Sequence, residues 1–325
     1  MLSKSFLSSL CLVSAVLGAP ADLRRRTSRA SAPPGCLTVG SGGTYSTIGD
    51  AINALTSSTS SACIYVASGT YEEQLTIDFT GTLTIYGETS DTGTYKDNTV
   101  TITNTLSSPD AGSLDLSATV NVVSDGFKMY NINVVNGYGK GAQAVALVGN
   151  ADQLGFYGCQ FSGYQDTLYA KAGTQYYSNC MIEGAVDYIF GDASAWFGEC
   201  DIVSNGAGAI TASSREESTD TAWYAIDNSS IKAASGTSLD GEVYLGRPWR
   251  VLARVIYQSS DLGSLVNAKG WTTMADGATP LYYEYNNSGD GSSTSERKYE
   301  SSISAGVTKK TVLGSDYGDW IDESY

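Results

Sequence analysis

Between Leu154 and Ile202 the apolar positions recur as a fixed phrase. Phe156-x-x-Cys159-x-Phe161 is followed by Tyr177-x-x-Cys180-x-Ile182 and then by Phe197-x-x-Cys200-x-Ile202. The cysteines stand 21 and then 20 residues apart. Short β-prone segments repeating at about 20 residues mark a stacked solenoid in which each repeat buries its apolar face only against its neighbours. The expected fold is all-β: a single-stranded, right-handed parallel β-helix with one turn per period. The phrase extends to Met129-x-x-Ile132-x-Val134 on one side, and to Ile226-x-x-Ser229-x-Ile231 and Tyr257-x-x-Ser260-x-Leu262 on the other. The step grows to about 30 there, so loops are inserted between turns, and insertions on one face wall a cleft.

Upstream, apolar and polar residues alternate over Cys63–Ala67, Leu75–Asp78, Leu83–Tyr86 and Val100–Thr103, as in half-buried strands. Ile48, Ala51, Ile52 and Leu55 follow Ser46–Thr47 at helical spacing and predict a short capped helix closing the open end of the solenoid. Residues 280–325 lose the period and are expected to wrap the outside as loops and a terminal helix.

Composition narrows the chemistry. The 325 residues carry a formal charge of −15, which argues against nucleic acid as a partner. There is no histidine, so Ser–His–Asp and Cys–His catalysis and every histidine-ligated metal site are excluded. Acid–base work falls to Asp, Glu, Lys, Tyr or Cys. Lys4, the apolar run Phe6–Leu17 and the small Gly18 and Ala19 form a signal-peptide pattern over residues 1–19, too short to span a bilayer. A secreted, extracellular, monomeric protein without membrane partners is expected. Residues 20–35 read as a disordered or removed linker, with Arg24–Arg25–Arg26 either a solvated basic stretch or a processing site, and residues 36–325 as the β-helix domain. Asn228–Ser229–Ser230 and Asn286–Asn287–Ser288 are glycosylation acceptor sequences.

With Cys11 in the signal segment, five cysteines remain. Cys36 and Cys63 are candidates to pair. Cys159, Cys180 and Cys200 should stack on consecutive turns, where a Cys180–Cys200 disulfide with Cys159 free competes with three buried thiols.

The same period places two carboxylates together. Asp166 and Asp187 are 21 residues apart, so they fall on neighbouring strands, roughly 4.8 Å apart. Two carboxylates that close favour one holding a proton. They belong to Gln165–Asp166–Thr167–Leu168 and Asp187–Tyr188–Ile189–Phe190–Gly191. With Gly69–Thr70–Tyr71–Glu72–Glu73, Gly141–Ala142–Gln143 and Leu245–Gly246–Arg247–Pro248–Trp249, in that order along the chain, these sequences resemble the pectin methylesterase family. Gly270–Trp271 and Tyr282–Asn287 look like its C-terminal motifs, and the likeness runs from about Thr38 to Asp319.

The resemblance implies an aspartyl esterase that demethylates methyl-esterified pectin without metal or cofactor, a proteinaceous inhibitor being a further partner. It makes Asp187 the nucleophile, Asp166 the general acid and then base, Gln143 and Gln165 the oxyanion donors, Arg247 the residue that holds the nucleophile, and Trp249 a sugar contact. The residues themselves ask for the same cast. An Arg fork keeps a carboxylate ionised and aimed. A second carboxyl beside it is pushed toward its protonated form. Neutral amides can donate to an oxyanion. Trp249, Phe190 and Tyr188 offer flat faces to sugar C–H groups. Tyr71 and Glu73 read as structural, bracing a turn. Competing readings are another β-helix polysaccharide enzyme and a silent carbohydrate-binding β-helix. The missing histidine motif, the lack of a tight acidic calcium cluster and the intact catalytic set stand against them. No G-x-S-x-G supports a serine esterase.

Overall fold

The computed structural model describes residues 27–56 and 60–325. The signal-segment and Arg24–Arg26 expectations lie outside the described residues.

One coil shows how the repeat folds. Leu154–Tyr157 lies in a ten-stranded sheet, Gln160–Ser162 in an eight-stranded sheet and Leu168–Ala172 in a seven-stranded sheet; Thr174–Ser178 then pairs back, parallel, on Leu154–Tyr157. All strand pairs between these elements are parallel, so the chain is a three-sided parallel β-helix. The sequence phrase stacks in register, Phe156 on Tyr177 and Tyr177 on Phe197, with ring centroids 4.9 and 4.7 Å apart. Phe161, Ile182, Ile202, Ile231 and Leu262 form a second inward column.

From Asn131 onward the corner between the ten- and eight-stranded sheets repeats without change. Two residues make it, the first in the left-handed region: Asn131, Gly158, Asn179, Glu199, Asn228 and Ser259, at φ from 46° to 57°, with Asn286 continuing the column at 52°. Asn and Gly accept this conformation at least steric cost. The second residue points inward and carries the cysteines. The Cys180–Cys200 disulfide is not formed; Cys159, Cys180 and Cys200 are three buried thiols, and Cys36–Cys63 is the disulfide among the described residues. Stacked parallel corners aim their Cβ vectors alongside one another, whereas a disulfide needs them convergent. Along this column Cys180, Ser229 and Ser260 instead serve the amide of the preceding coil. Cys159 N–H donates to Cys180 Sγ at 3.4 Å, Cys200 N–H to Ser229 Oγ at 3.0 Å, and Ser229 N–H to Ser260 Oγ at 3.1 Å.

The ends are closed. The helix Ile48–Asn53, capped by Thr47, buries Ile48 and Ala51 against the first coils. Glu73 receives the amides of Ile48 and Gly49 at 2.9 and 2.8 Å, and Tyr71 donates its hydroxyl to Ala67 O at 2.8 Å, so both are structural. The linker expected up to residue 35 belongs to the fold from Thr27 onward. Arg29 bridges Thr89, donates to Gly87 O and Asn131 Oδ1, and lies 4.9 Å above the Tyr86 ring. At the other end Leu281–Tyr285 continues the ten-stranded sheet rather than leaving it. The helices Lys309–Leu313 and Tyr317–Trp320 then cover the Tyr130–Tyr157–Tyr176–Trp196 column on that sheet's outer face.

Candidate active site

The corner between the eight- and seven-stranded sheets varies in length from coil to coil, and it carries the chemistry. Asp166 and Asp187 occupy equivalent places on consecutive coils, since Gln165 bridges Val186 in parallel register. Both are left-handed, at φ +64° and +50°. An aspartate held there is strained unless its surroundings fix it, and such strain gathers at functional sites. Here the backbone does the fixing: Asp166 N–H donates to Val186 O at 3.0 Å and Asp187 N–H to Ala209 O at 2.7 Å.

The two carboxylates have different company. Arg247 follows the strand Val243–Gly246 and is anchored by its own amide on Thr211 O at 2.9 Å. Its Nε donates to Asp187 Oδ1 at 2.8 Å and its Nη2 to Asp187 Oδ2 at 2.7 Å. The side chain of Asp166 makes no hydrogen bond to another described residue. Burial first, and the Asp187 charge second, push its carboxyl up to about 8, against a lowering pull from Arg247.

Gln143 precedes the strand Leu147–Asn150 and is aimed by its backbone alone. Ser108 N–H donates to Gln143 O at 2.7 Å and Ala144 N–H to Gln165 O at 3.1 Å, which ties the two glutamines to each other. Buried Asn136 holds the surrounding loop, its Nδ2 reaching Leu106 O, Ser117 O and Val145 O at 3.0 to 3.1 Å. Neither glutamine amide bonds another described residue, so Gln143 belongs to no structural amide ladder.

These groups converge. Gln143, Gln165, Asp166, Asp187, Arg247 and Trp249 line one cavity of about 150 Å³, joined by Leu114, Phe190, Ala212 and Met274. Phe190 is almost buried, stacked on Tyr169 at 4.3 Å; the half-buried Trp249 stands 5.8 Å from Phe190. Tyr188 is not a sugar platform. It sits wholly in the core with its hydroxyl 2.9 Å from Ser204 Oγ, because it precedes the strand Ile189–Gly191 and the left-handed Asp187 turns it inward.

Sequence reasoning passed over Tyr169, Leu114 and Met274. Tyr169 was within reach, being one period before Phe190 and paired with it in register. Leu114 sits in a helical insertion, Leu114–Ser117, pinned by the Lys171–Asp115 ion pair at 2.6 Å, and Met274 in a non-repeating loop; neither has a periodic signal. Among the described residues no three acidic or thiol side chains converge as metal ligands, and no helix is long and apolar enough to cross a membrane.

Known proteins resemble this chain in sequence and fold. The sequence profile described as Pectinesterase matches residues 37–321. A probable pectinesterase A of Aspergillus niger is 81% identical over 315 residues, covering 97% of this chain and 96% of its own. Pectinesterase A of Emericella nidulans is 68% identical over 322 residues, 99% of each. The crystal structure of the pectin methylesterase from Aspergillus niger in deglycosylated form superposes with a TM-score of 0.91 at 84% identity, covering 92% of this chain and 100% of that one. The carrot pectin methylesterase gives a TM-score of 0.81 at 30% identity over 89% and 96% of the two chains. By profile, by sequence and by fold, the chain belongs to the pectinesterase family.

Proposed function

We propose that Asp187 is the nucleophile and Asp166 the proton carrier of the reaction this chain performs, the hydrolysis of pectin methyl esters to pectate and methanol. The observation that carries the assignment is the asymmetry of the pair: Arg247 grips both oxygens of Asp187, while Asp166 is buried with its carboxyl held protonated to about pH 8.

One Asp187 oxygen attacks the ester carbonyl carbon, and the carbonyl electrons move to oxygen. The Gln143 and Gln165 amides donate to that oxyanion; losing one such donor costs on the order of 3 kcal/mol. When the intermediate collapses, the methoxy oxygen takes the Asp166 proton and leaves as methanol, and an anhydride joins the sugar acid to Asp187. Asp166, now a carboxylate, takes one proton from the water whose oxygen attacks the anhydride's sugar carbonyl; the bond to Asp187 breaks, both aspartates are restored, and the sugar acid leaves and gives its remaining proton to solvent. Trp249 supplies the apolar platform for the sugar, with Phe190 beneath it.

The wider setting supports secretion. The Cys36–Cys63 disulfide suits an oxidising compartment, and the pattern over residues 1–19 is that of an export signal. Asn228 and Asn286 are exposed in the repeating corner, where attached glycans lie on a different edge from the aspartates. A proteinaceous inhibitor would act by covering this cleft.

Single-turnover acylation by Asn variants tests the roles. Asp187→Asn cannot form the anhydride with any ester. Asp166→Asn should recover part of the acylation step with an activated ester, whose leaving group needs little proton donation. Acylation by the Asp187 variant and none by the Asp166 variant would reverse the two assignments.

A further inference from the structure

Arg247 is held at the limit of its sheet. The strand that leads into it, Val243–Gly246, is the end strand of the seven. The segment 265–275 covers that strand. Val243 N–H donates to Leu265 O at 2.9 Å, Leu245 N–H to Gly270 O at 2.7 Å and Thr272 N–H to Gly246 O at 3.1 Å. Val243 faces Val266 but Gly246 faces Trp271, so the cover takes five steps where the strand takes three. The surplus, residues 267–270, bulges out of register. Carbonyls in such a bulge lose their place in the ladder and need other partners.

Arg297 is that partner. Its Nη1 donates to Asn267 O and Ala268 O at 3.2 and 3.1 Å, and its Nη2 to Gly291 O at 2.6 Å. Nε and Nη2 also fork onto Glu284 Oε1 and Oε2, at 2.7 and 3.0 Å. All five guanidinium N–H groups are thereby used. Gly270, at φ +67°, leaves the room, since a Cβ there would collide with the Arg297 side chain. The pair is 1% and 2% exposed. A pair so buried adds little stability over an apolar pair of the same shape, and its best-attested use is to fix register.

The register reaches the site through one ring. Glu284 Oε1 accepts Trp271 Nε1–H at 3.1 Å, and the Trp271 ring stacks on Tyr282 at 4.0 Å. Trp271 packs against Gly246, the residue before Arg247: a Cβ on that glycine would stand 3.1 Å from the indole. Burial first, and the Asp187 charge second, push the Tyr282 hydroxyl well up, so this layer lies within electrostatic reach of Asp187.

We infer that Glu284 and Arg297 are positioning residues for Arg247: the pair sets the register of the covering segment, seats Trp271 against Gly246 and so aims the guanidinium that orients Asp187. The inference rests on the reading of Arg247 as the residue that aims Asp187. Arg297→Lys keeps the charge, but its single ammonium cannot both fork onto Glu284 and cap the bulge.

The test is methanol release from methyl-esterified pectin by the full chain, counted per folded molecule, well below the melting temperature of each variant. Arg297→Lys should lower kcat about tenfold and leave KM within about twofold. In an Arg247→Lys background the same change should cost less than about twofold, because the fork it aims is already gone. Trp271→Phe keeps an aromatic ring beside Tyr282 and deletes the N–H that Glu284 receives. It should show the same pattern at about threefold, and it decides the matter if the lysine variant does not fold. Parental kcat in these folded variants, or equal losses in both backgrounds, overturns the positioning role and leaves a structural brace. Arg247→Lys alone separates the two claims. Full activity there sinks the reading of Arg247, whereas loss there with parental kcat in the Arg297 and Trp271 variants sinks only the positioning pair.

Discussion

Arg247 meets Asp187 through both arms of its guanidinium fork, Nε on Oδ1 at 2.8 Å and Nη2 on Oδ2 at 2.7 Å. The contact is bidentate, so it fixes the carboxylate plane as well as its charge. Arg247→Lys keeps a cation and loses the plane. We expect kcat to fall about a hundredfold or more, with thermal stability within a few degrees of the parent, because the Arg is only half-buried. Retention of most activity by the lysine variant would make charge, not aim, the role of this residue.

The proton on Asp166 sets an alkaline limit. Its carboxyl is held up to about 8, so the donor form prevails below that pH and is lost above it. With a methyl ester, kcat/KM should fall about tenfold per pH unit beyond that point. With an activated ester that needs no proton, the alkaline fall in acylation should flatten. Parallel alkaline limbs for both esters would assign the limit to another group.

The same group costs stability as pH rises. Unfolded, an aspartate titrates at 3.8; folded, Asp166 titrates at about 8. The native state therefore binds the extra proton across that window, and stability falls with rising pH from about 4 to about 8. Asp166→Asn removes the penalty. The variant should be more stable than the parent by about 1–3 kcal/mol at pH 8, with the gain vanishing near pH 4. Denaturant melts at the two pH values measure it, and a gain equal at both would deny the linkage.

Asn136 has its effect through Gln143. The Asn136 amide ties Leu106, Ser117 and Val145 together around the segment that aims Gln143, whose side chain has no partner of its own. Asn136→Ala should lower kcat about tenfold or more, with KM little changed. In a Gln143→Ala background the same substitution should cost less than about twofold, since the donor it positions is gone. Equal losses in both backgrounds would show Asn136 to be a general brace.

Where the sequence repeats, its reading went far. The 21-residue step brought Asp166 and Asp187 to adjacent coils, and the rung phrase put Phe156, Tyr177 and Phe197 in one stack. The short motifs located Gln143, Gln165, Arg247 and Trp249 around one cavity. The reading failed where a single dihedral decides. Period-two alternation puts Tyr188 on the face of Phe190, but the left-handed Asp187 begins a new direction and Tyr188 enters the core. It failed again over Cys180 and Cys200, where residue spacing permits a bond that parallel Cβ vectors do not. Met274 lies in a loop without period, and only the folded chain brings it to the cleft.

The two kinds of corner divide the tasks of this protein. Every coil from Asn131 to Ser259 turns from the ten- to the eight-stranded sheet in two residues, with the same left-handed first position and an inward second one; at Cys180, Ser229 and Ser260 that second side chain accepts an amide of the coil before it. An insertion there would break a column that runs from Asn131 to Asn286; the insertion this corner does carry, residues 88–99 between Thr82–Gly87 and Val100–Asn104, lies before the column begins. The opposite corner has no such rule, and between Asn136 and Leu147 it already carries an excursion that the next coil lacks. Geometry thus sets where a change in segment length is tolerated: within the coils from Asn131 onward, the edge that meets substrate can take one and the edge that keeps the stack aligned cannot. New specificity can be grafted by lengthening loops at the first edge, while the second acts as a ruler that holds the aspartates one coil apart.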